Sequence, residues 1–214
     1  MIYKFLIGIG DGGIMKIAIL IRHGESDINV KGILSDTIDN NMLTEKGMRQ
    51  AEHAAAELKG IDIKNFYSSP IKRAFDTAQI IADSFNKDVV TDQRLIEIGL
   101  GKARGRKANE FTNGLYSGHI TGKIREDLEM EKWDSLQKRV VEAIASREGI
   151  NVYVTHSDPI RAAISYFLEM GEEETYGLSI KNASMTVIDV EIGRILTLGA
   201  ISMTDSVRKY LNIQ

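Results

Sequence analysis

The feature that most constrains the fold is a short apolar run, residues 17–21, which is followed directly by Arg22 and His23. The run is continuous rather than alternating, as is typical of a central strand with both faces covered in a parallel sheet. In such sheets ligands bind beyond the carboxyl ends of the strands. The sequence therefore predicts a polar site at the end of this strand, built around an arginine and a histidine.

The strand-then-helix pattern returns twice further along the chain. IKNFYSS predicts a strand, after which Ser69 and Pro70 provide the cap and the first residue of a helix. NVYVTHSDP predicts a third strand, with Ser157 or Asp158 as the cap of the helix that follows. Thr44 is the predicted cap of the helix EKGMRQAEHAAAEL. Each joint places polar residues where a strand ends.

The whole pattern indicates an α/β fold. Near the C-terminus, ASMTVIDVEIGRILTLGAIS predicts two strands around Gly193. Elsewhere strands alternate with helices, which is typical of a sheet layered by helices. We therefore predict a three-layer α/β/α arrangement with a mostly parallel central sheet.

The chain has 214 residues, which suits one domain with a modest insertion. Residues 1–14 are expected to be a flexible N-terminal extension; their glycines match G-x-G-x-x-G, but a strand-like stretch follows where a dinucleotide site needs a helix. Residues 15–214 are then expected to form a single domain. Between about residues 100 and 132 glycines interrupt the pattern, which predicts a lid-like insertion, or else a surface excursion with no role.

Composition removes several classes of function. The 27 basic and 30 acidic side chains leave a net charge of -3, so no overall field draws the protein to nucleic acid or to anionic membranes. The absence of cysteine excludes disulfides, thiolate catalysis and cysteine-ligated metals, and it fits a cytoplasmic location. No apolar window is long enough to span a bilayer. We expect a cytoplasmic protein without nucleic-acid or membrane partners; a homodimer is left open.

Four polar residues can converge at one edge of the predicted sheet. Arg22 and His23 follow the first strand, Arg73 lies one turn into the helix after the second, and His156 follows a later strand. This positive cluster is costly unless an anion lies within it, and guanidinium groups match the oxygens of a phosphate dianion. A neutral imidazole can also attack phosphorus. No metal-ligand motif is present, and such chemistry needs none.

Four blocks in order carry a resemblance to a known family. RHGESDIN, SSPIKRAFDTA, LIEIGLG and VTHSDPIRA, at these separations, resemble the histidine phosphatase superfamily, also called the cofactor-dependent phosphoglycerate mutase family. The resemblance extends from Lys16 to about Ser202. It implies a phosphoglycerate mutase-like fold and phosphoryl transfer from a small phosphorylated metabolite.

The resemblance also implies roles for individual residues. His23 would be the nucleophile that becomes phosphohistidine, and Glu97 the general acid and base. The phosphoryl group would be held by Arg22, Arg73 and His156. Substrate contacts are expected from Asn29, from Ser35 and from the amide of Ser157, which stands where the family usually has glycine.

A basic run follows Glu97 and consists of Lys102, Arg104, Arg106 and Lys107. This basic run predicts a second anion site. Its arginines, Arg104 and Arg106, would then bind substrate, although a solvated basic surface is the alternative. His53 and His119 are expected to be solvated surface residues. Arg139 and Arg161 are expected to form salt bridges or to pack their aliphatic stems.

Three functions stay open at this stage. The compact segment between Glu97 and His156 lacks the adjacent arginine pair of the mutases, which favours a phosphatase that needs no cofactor. The basic run and Ser35 keep a phosphoglycerate mutase that depends on 2,3-bisphosphoglycerate in consideration. A non-catalytic protein that binds phosphorylated ligands is the third alternative, and the intact set of catalytic residue types argues against it.

Overall fold

A computed structural model describes residues 15–38, 41–111 and 120–213, and within them one sheet carries the fold. Its strands, in chain order, are β1 (Lys16–Arg22), β2 (Ile63–Ser68), β3 (Val89–Thr91), β4 (Gly149–Thr155), β5 (Met185–Asp189) and β6 (Arg194–Ala200). They lie side by side in the order β3-β2-β4-β1-β5-β6. The first four strands are mutually parallel, whereas β5 runs antiparallel to β1 and to β6. The prediction of a mostly parallel sheet is confirmed.

Helices cover both faces of the sheet. They are α1 (Asp27–Lys31), α2 (Glu45–Glu57), α3 (Lys72–Asp83), α4 (Gly122–Asp127), α5 (Trp133–Ala145), α6 (Ser157–Phe167), α7 (Glu172–Thr175) and α8 (Asp205–Ile213). One buried apolar cluster joins a face of the sheet to α2, α3 and α8, and a second joins the other face to α5 and α6. The three-layer α/β/α prediction is therefore confirmed. No helix among the described residues is long and apolar enough to cross a membrane.

Burial on both faces of the sheet explains the continuous apolar sequence of β1. Ile17, Ile19 and Ile21 belong to the cluster with α2 and α3, while Ala18 and Leu20 belong to the cluster with α5 and α6. Successive side chains of a strand point to opposite faces, so a strand buried on both needs an apolar residue at every position. β1 lies between β4 and β5. Its carboxyl end therefore opens at the middle of the sheet.

Helix α3 begins later than the sequence predicts. Its N-cap is Ile71 rather than Ser69, so Pro70 precedes the helix. The Ser69 hydroxyl instead accepts a hydrogen bond from the Ile71 amide at 3.2 Å and lies 2.9 Å from Nε2 of His156. The hydroxyl therefore links the residues just before α3 to the histidine that follows β4.

Helix α6 begins one residue earlier than a cap at Ser157 predicts, and two residues earlier than a cap at Asp158. Its N-cap is His156, which keeps an extended backbone with φ of -122°, and Ser157 is already helical. Two other local predictions are confirmed: the Thr44 side chain accepts from the amide of Gly47 at the start of α2, and the turn between β5 and β6 contains Gly193 with φ of +67°.

The segment between residues 100 and 132 is largely irregular where it is described. It contains two short 3-10 turns, Gly101–Ala103 and Ala108–Phe111, and then α4. The buried Arg125 ties α4 to α7 through an ion pair with Glu172 and a hydrogen bond to the hydroxyl of Tyr176. Whether the segment acts as a lid stays a prediction. The predicted N-terminal extension and His119 lie outside the described residues.

Candidate active site

A cavity of about 720 Å³ opens at the carboxyl ends of the central strands. Its wall includes most of the residues that the sequence singles out: Arg22, His23, Asn29, Ser35, Arg73, Glu97 and Ser157. His156 is fully buried against this group, with its ring centroid 5.1 Å from that of His23. The sheet register explains the convergence, because Arg22 pairs with Thr155 and Ser68 with Val154.

His23 is held in one tautomer. Its Nδ1 lies 2.7 Å from the carbonyl oxygen of Gly24, which can only accept, so Nδ1 carries the proton. Nε2 accepts a hydrogen bond of 3.0 Å from Nε of Arg73. The Gly24 peptide is itself fixed, because its amide donates to the Thr77 hydroxyl at 3.0 Å. The lone pair of the imidazole therefore lies on the side of Arg73.

Gly24 and Gly47 pack backbone against backbone where the loop after β1 meets α2. A Cβ atom on Gly24 would lie 2.4 Å from the carbonyl oxygen of Gly47, and one on Gly47 would lie 2.0 Å from that of Glu25. Neither position has room for any side chain. This contact fixes the height of the loop that carries His23.

Arg73 connects the two histidines. Besides its bond to His23, its Nη2 donates to the Ser35 carbonyl at 2.8 Å and to Nδ1 of His156 at 3.1 Å. Arginine has no acceptor, so Nδ1 of His156 accepts and its Nε2 carries the proton, which points to the Ser69 hydroxyl. Both histidines thus have assigned tautomers, and each follows from a neighbouring group.

Burial and positive charge keep both imidazoles neutral. Loss of solvation lowers the pKa of His23 and of His156 well below the usual value, and the charge of Arg73 lowers both further. The pKa of Arg73 falls to about 10, again chiefly through burial, so this guanidinium remains charged near neutral pH. Two buried donors, Nε of Arg22 and Nη1 of Arg73, have no hydrogen-bond partner in the described protein. Together these groups suit an anion with several oxygens.

Glu97 has the properties of a group that exchanges protons near pH 7. Burial raises its pKa to about 7, and the negative charge of Asp158 adds to that rise. Its Oε1 accepts from the amide of Ile98 at 3.0 Å. Arg139 holds the loop in place by donating to the carbonyl oxygens of Ile96 at 2.8 Å and of Glu97 at 3.1 Å. The salt bridge expected of Arg139 is also present, to Glu131.

Asn29 and Ser35 are held in the cavity wall by hydrogen bonds. Oδ1 of Asn29 accepts from the Ser26 amide at 3.1 Å and from the side chain of Asn182 at 3.4 Å. The Ser35 hydroxyl is bonded to Asn41, while its carbonyl receives Arg73. Both line the cavity, and Ser157 does so as the first residue of α6.

Arg104 and Arg106 are placed differently from the other predicted residues. Arg104 pairs with Asp36, with Nη2 and Oδ2 at 2.9 Å, and Arg106 pairs with Glu110 at 2.9 Å. Neither arginine belongs to the described wall of the cavity. The structure therefore does not bring them to the site, because nearby carboxylates already engage both.

Several residues of the wall escape prediction from sequence alone. Asp158 and Arg161 form an ion pair of 2.7 Å on the first turns of α6, and both face the cavity with Asn182 and Tyr176. The salt bridge expected of Arg161 is confirmed, but its position in the wall is not foreseen. The only sequence signal is their place inside the block VTHSDPIRA. Among the described residues, no group of three or more histidine or acidic side chains could hold a metal ion.

Comparison with known proteins agrees with this geometry. Residues 18–199 match the family model of the histidine phosphatase superfamily (branch 1). The chain belongs to this superfamily. It is an enzyme of the histidine-type phosphomonoesterase or phosphoglycerate mutase kind, as the resemblance of its four sequence blocks implies.

Relatives of this histidine phosphatase carry two kinds of name. Phosphoserine phosphatase 1 of Hydrogenobacter thermophilus is 31% identical over 183 residues, which cover 81% of this chain and 86% of that protein. The Escherichia coli protein named "Probable phosphoglycerate mutase GpmB" is 28% identical over 184 residues, covering 80% and 84%. A solved phosphoserine phosphatase of Entamoeba histolytica, in complex with 3-phosphoglyceric acid, is 28% identical with a TM-score of 0.70, covering 88% and 98%. These names support phosphatase-type chemistry without fixing a substrate.

Proposed function

We propose that this protein is a phosphatase that hydrolyses small phosphorylated metabolites through a phosphohistidine at His23. One observation carries the proposal: the uncharged Nε2 of His23 faces Arg73, whose Nη1 is a buried donor without a partner. A phosphate group placed there would receive donors from Arg22 and Arg73 while it meets the lone pair of the imidazole.

In the first step, Nε2 of His23 attacks phosphorus and the bond from phosphorus to the ester oxygen breaks. The electron pair goes to that oxygen, which takes the proton of the Glu97 carboxyl group. Arg73 would transfer its hydrogen bond from Nε2 to a phosphate oxygen as the new bond forms. The hydrogen bond from Nδ1 to the Gly24 carbonyl stabilises the positive charge that develops on the ring.

In the second step, water attacks phosphorus while the Glu97 carboxylate takes a proton from it. The bond from phosphorus to Nε2 breaks, and its electron pair returns to the imidazole. Inorganic phosphate leaves, and Glu97 is protonated again. A pKa of about 7 lets Glu97 serve as acid and base within one turnover.

The phosphatase is favoured over the mutase because the cavity wall offers little for a second anion. Arg104 and Arg106, predicted to provide that site, are engaged elsewhere. A bound 2,3-bisphosphoglycerate would need a second cluster of free cations, and the described wall does not supply one. We retain a cytoplasmic location and a homodimer only as predictions.

The test is hydrolysis of para-nitrophenyl phosphate without added metal by wild type and His23→Ala. We expect the variant to lose roughly 10⁴-fold or more in kcat, because the covalent route is removed. The wild-type enzyme, quenched during turnover and analysed by mass spectrometry, should carry one phosphoryl group on the peptide that contains His23.

His53→Ala is the matched control, since this histidine lies on α2 and does not line the cavity described above. It should keep wild-type turnover. An inert wild type, or a His23→Ala variant with undiminished activity, would refute the mechanism. Robust conversion of 3-phosphoglycerate to 2-phosphoglycerate that needs the bisphosphate would instead establish the mutase.

A further inference from the structure

The charges on the cavity wall are unevenly distributed. Two guanidinium groups, those of Arg22 and Arg73, lie at the phosphate end beside His23. A third, that of Arg161, lies on the wall formed by α6 and residues 176–180. No lysine lines the described part of the cavity. The stretch 112–119, TNGLYSGH, contains neither lysine nor arginine, so it cannot supply another cation of this kind.

Arg161 is already neutralised by its neighbours. Its Nη1 lies 2.7 Å from Oδ1 of Asp158, its Nε donates to the Leu178 carbonyl at 3.4 Å, and its guanidinium lies 5.4 Å from the ring centroid of Tyr176. The side chains of Arg161 and Asp158 are only 11% and 18% exposed. An ion pair this sheltered is weakly screened, so the carboxylate effectively cancels the guanidinium.

Asp158 also acts on the reacting part of the cavity. Its negative charge raises the pKa of Glu97 and favours the charged form of Arg22. A phosphate ester bound with its phosphorus at His23 would direct its alcohol part past Glu97 toward this wall. A carboxylate or a second phosphate on that alcohol would then face Asp158, and the described part of the wall offers no unpaired cation at this end to offset it.

We propose that Asp158 is a specificity-determining residue, which occupies Arg161 and so selects phosphate monoesters whose alcohol part carries no net negative charge. The inference rests on the proposed phosphatase function and names its substrate class. Neutral alcohols and zwitterionic amino alcohols fit this wall. A zwitterion can place its ammonium group on Asp158 and its carboxylate on Arg161, matching both members of the ion pair. A phosphoglycerate matches only one and is repelled by the other.

Three substrates with the same three-carbon skeleton test the proposal: glycerol 3-phosphate, O-phosphoserine and 3-phosphoglycerate. For the wild type we expect kcat/KM to be about 10-fold or more higher for the first two than for 3-phosphoglycerate, the effect of one poorly screened charge. In Asp158→Asn, Arg161 is released, so the preference for glycerol 3-phosphate over 3-phosphoglycerate should fall by about 10-fold. Asp158→Glu keeps the charge and should keep the wild-type order.

The ratio of two substrates at one pH cancels any change that Asp158→Asn makes to Glu97, because that change affects every substrate alike. Circular dichroism and thermal unfolding check that the variants fold; the wild-type ratio tests the proposal even if they do not. A wild type that prefers 3-phosphoglycerate, or an Asp158→Asn variant with the wild-type ratio, would overturn the inference while hydrolysis of para-nitrophenyl phosphate still upheld the phosphatase. Failure of the wild type to hydrolyse any monoester would overturn both.

Discussion

The two ends of the cavity are built in different ways. At the phosphate end, His23, Arg73 and His156 are almost completely buried, and each is fixed by a strand end or by the first turn of a helix. At the opposite wall, the residues come from the start of α6 and from the irregular stretch 176–180. The first end is made of groups that any phosphate ester would meet. The second meets only the alcohol, so it is where substrates can be told apart.

The residues at the phosphate end are also linked to one another through a single side chain. Arg73 touches both histidines and the Ser35 carbonyl, so one side chain sets the geometry of the whole cluster. The opposite wall instead contains a separate ion pair, Asp158 with Arg161, which touches neither histidine. We therefore expect changes at the phosphate end to act on every substrate and changes at the wall to act on some.

The largest effect is expected from Arg73→Lys. An ammonium group cannot contact His23, Ser35 and His156 together as the guanidinium fork does, so kcat/KM should fall by about 10²–10³-fold for all substrates. Steady-state assays with para-nitrophenyl phosphate and glycerol 3-phosphate measure it. Lys72→Gln, on the preceding residue of α3, is the control and should be nearly silent. A loss confined to one substrate would break the contrast between the two ends.

Glu97→Gln should be the next largest, and its effect depends on pH and on the leaving group. Because the pKa of Glu97 is about 7, its acid form prevails below pH 7, and kcat/KM for alkyl phosphates should fall as the pH rises above 7. The glutamine variant should lose about 10²-fold on alkyl phosphates and lack this alkaline decline. Para-nitrophenolate leaves without a proton, so its pre-steady-state burst should survive. An alkaline decline that persists in the variant would assign the titration to another group.

A smaller effect is expected from Ser69→Ala. This change removes the acceptor for the Nε2 proton of His156 and leaves a buried donor unpaired, so kcat/KM should fall by about 10-fold on every substrate. The pH below which kcat/KM declines should also shift, which a purely structural defect would not cause. Ser68→Ala is the control, because the Ser68 hydroxyl donates to the Ser69 carbonyl and makes no other hydrogen bond among the described residues. An unchanged acid side of the profile in Ser69→Ala would show that the hydroxyl does not influence the protonation of His156.

The smallest effect is expected from Arg104→Ala and Arg106→Ala. Both arginines are paired with carboxylates away from the described cavity wall, so each variant should keep kcat/KM for glycerol 3-phosphate within about 2-fold of wild type. The same assay with 3-phosphoglycerate sharpens the comparison. A selective loss on 3-phosphoglycerate of about 10-fold or more would restore the second anion site that the basic run suggests.

Sequence reasoning reaches the phosphate end because strand periodicity and β–α joints are local signals. The apolar run before Arg22 and the helix that carries Arg73 place these residues at the same sheet edge without knowledge of the fold. The predicted helix starts at Ser69 and Ser157 differ from the observed starts by one or two residues, and the Ser69 hydroxyl also contacts His156, which follows another strand. Tertiary bonds of this kind leave no periodic trace.

The opposite wall is not accessible to the same reasoning. Arg104 and Arg106 follow Glu97 closely in sequence, but neither belongs to the described wall of the cavity. Arg104 forms an ion pair with Asp36, which lies 68 residues earlier, and Arg106 forms one with Glu110. Conversely, the sequence predicts Arg161 as an ordinary cation on a helix surface, whereas in the structure it contacts Tyr176 and Leu178 of the irregular stretch 176–180. Which charge faces a cavity depends on pairings between distant segments, and a single sequence does not encode these in any simple spacing.

The glycine contact between residues 24 and 47 has a consequence for how this enzyme can change. The loop that presents the imidazole packs directly on the first turn of α2, so its position depends on Gly47, which does not belong to the described wall of the cavity. A methyl group at residue 47 would displace the loop and lower turnover, although every residue that lines the cavity would keep its chemical identity. Substitutions at residue 47 should therefore reduce activity by misplacing His23, even though they change no residue of the site itself.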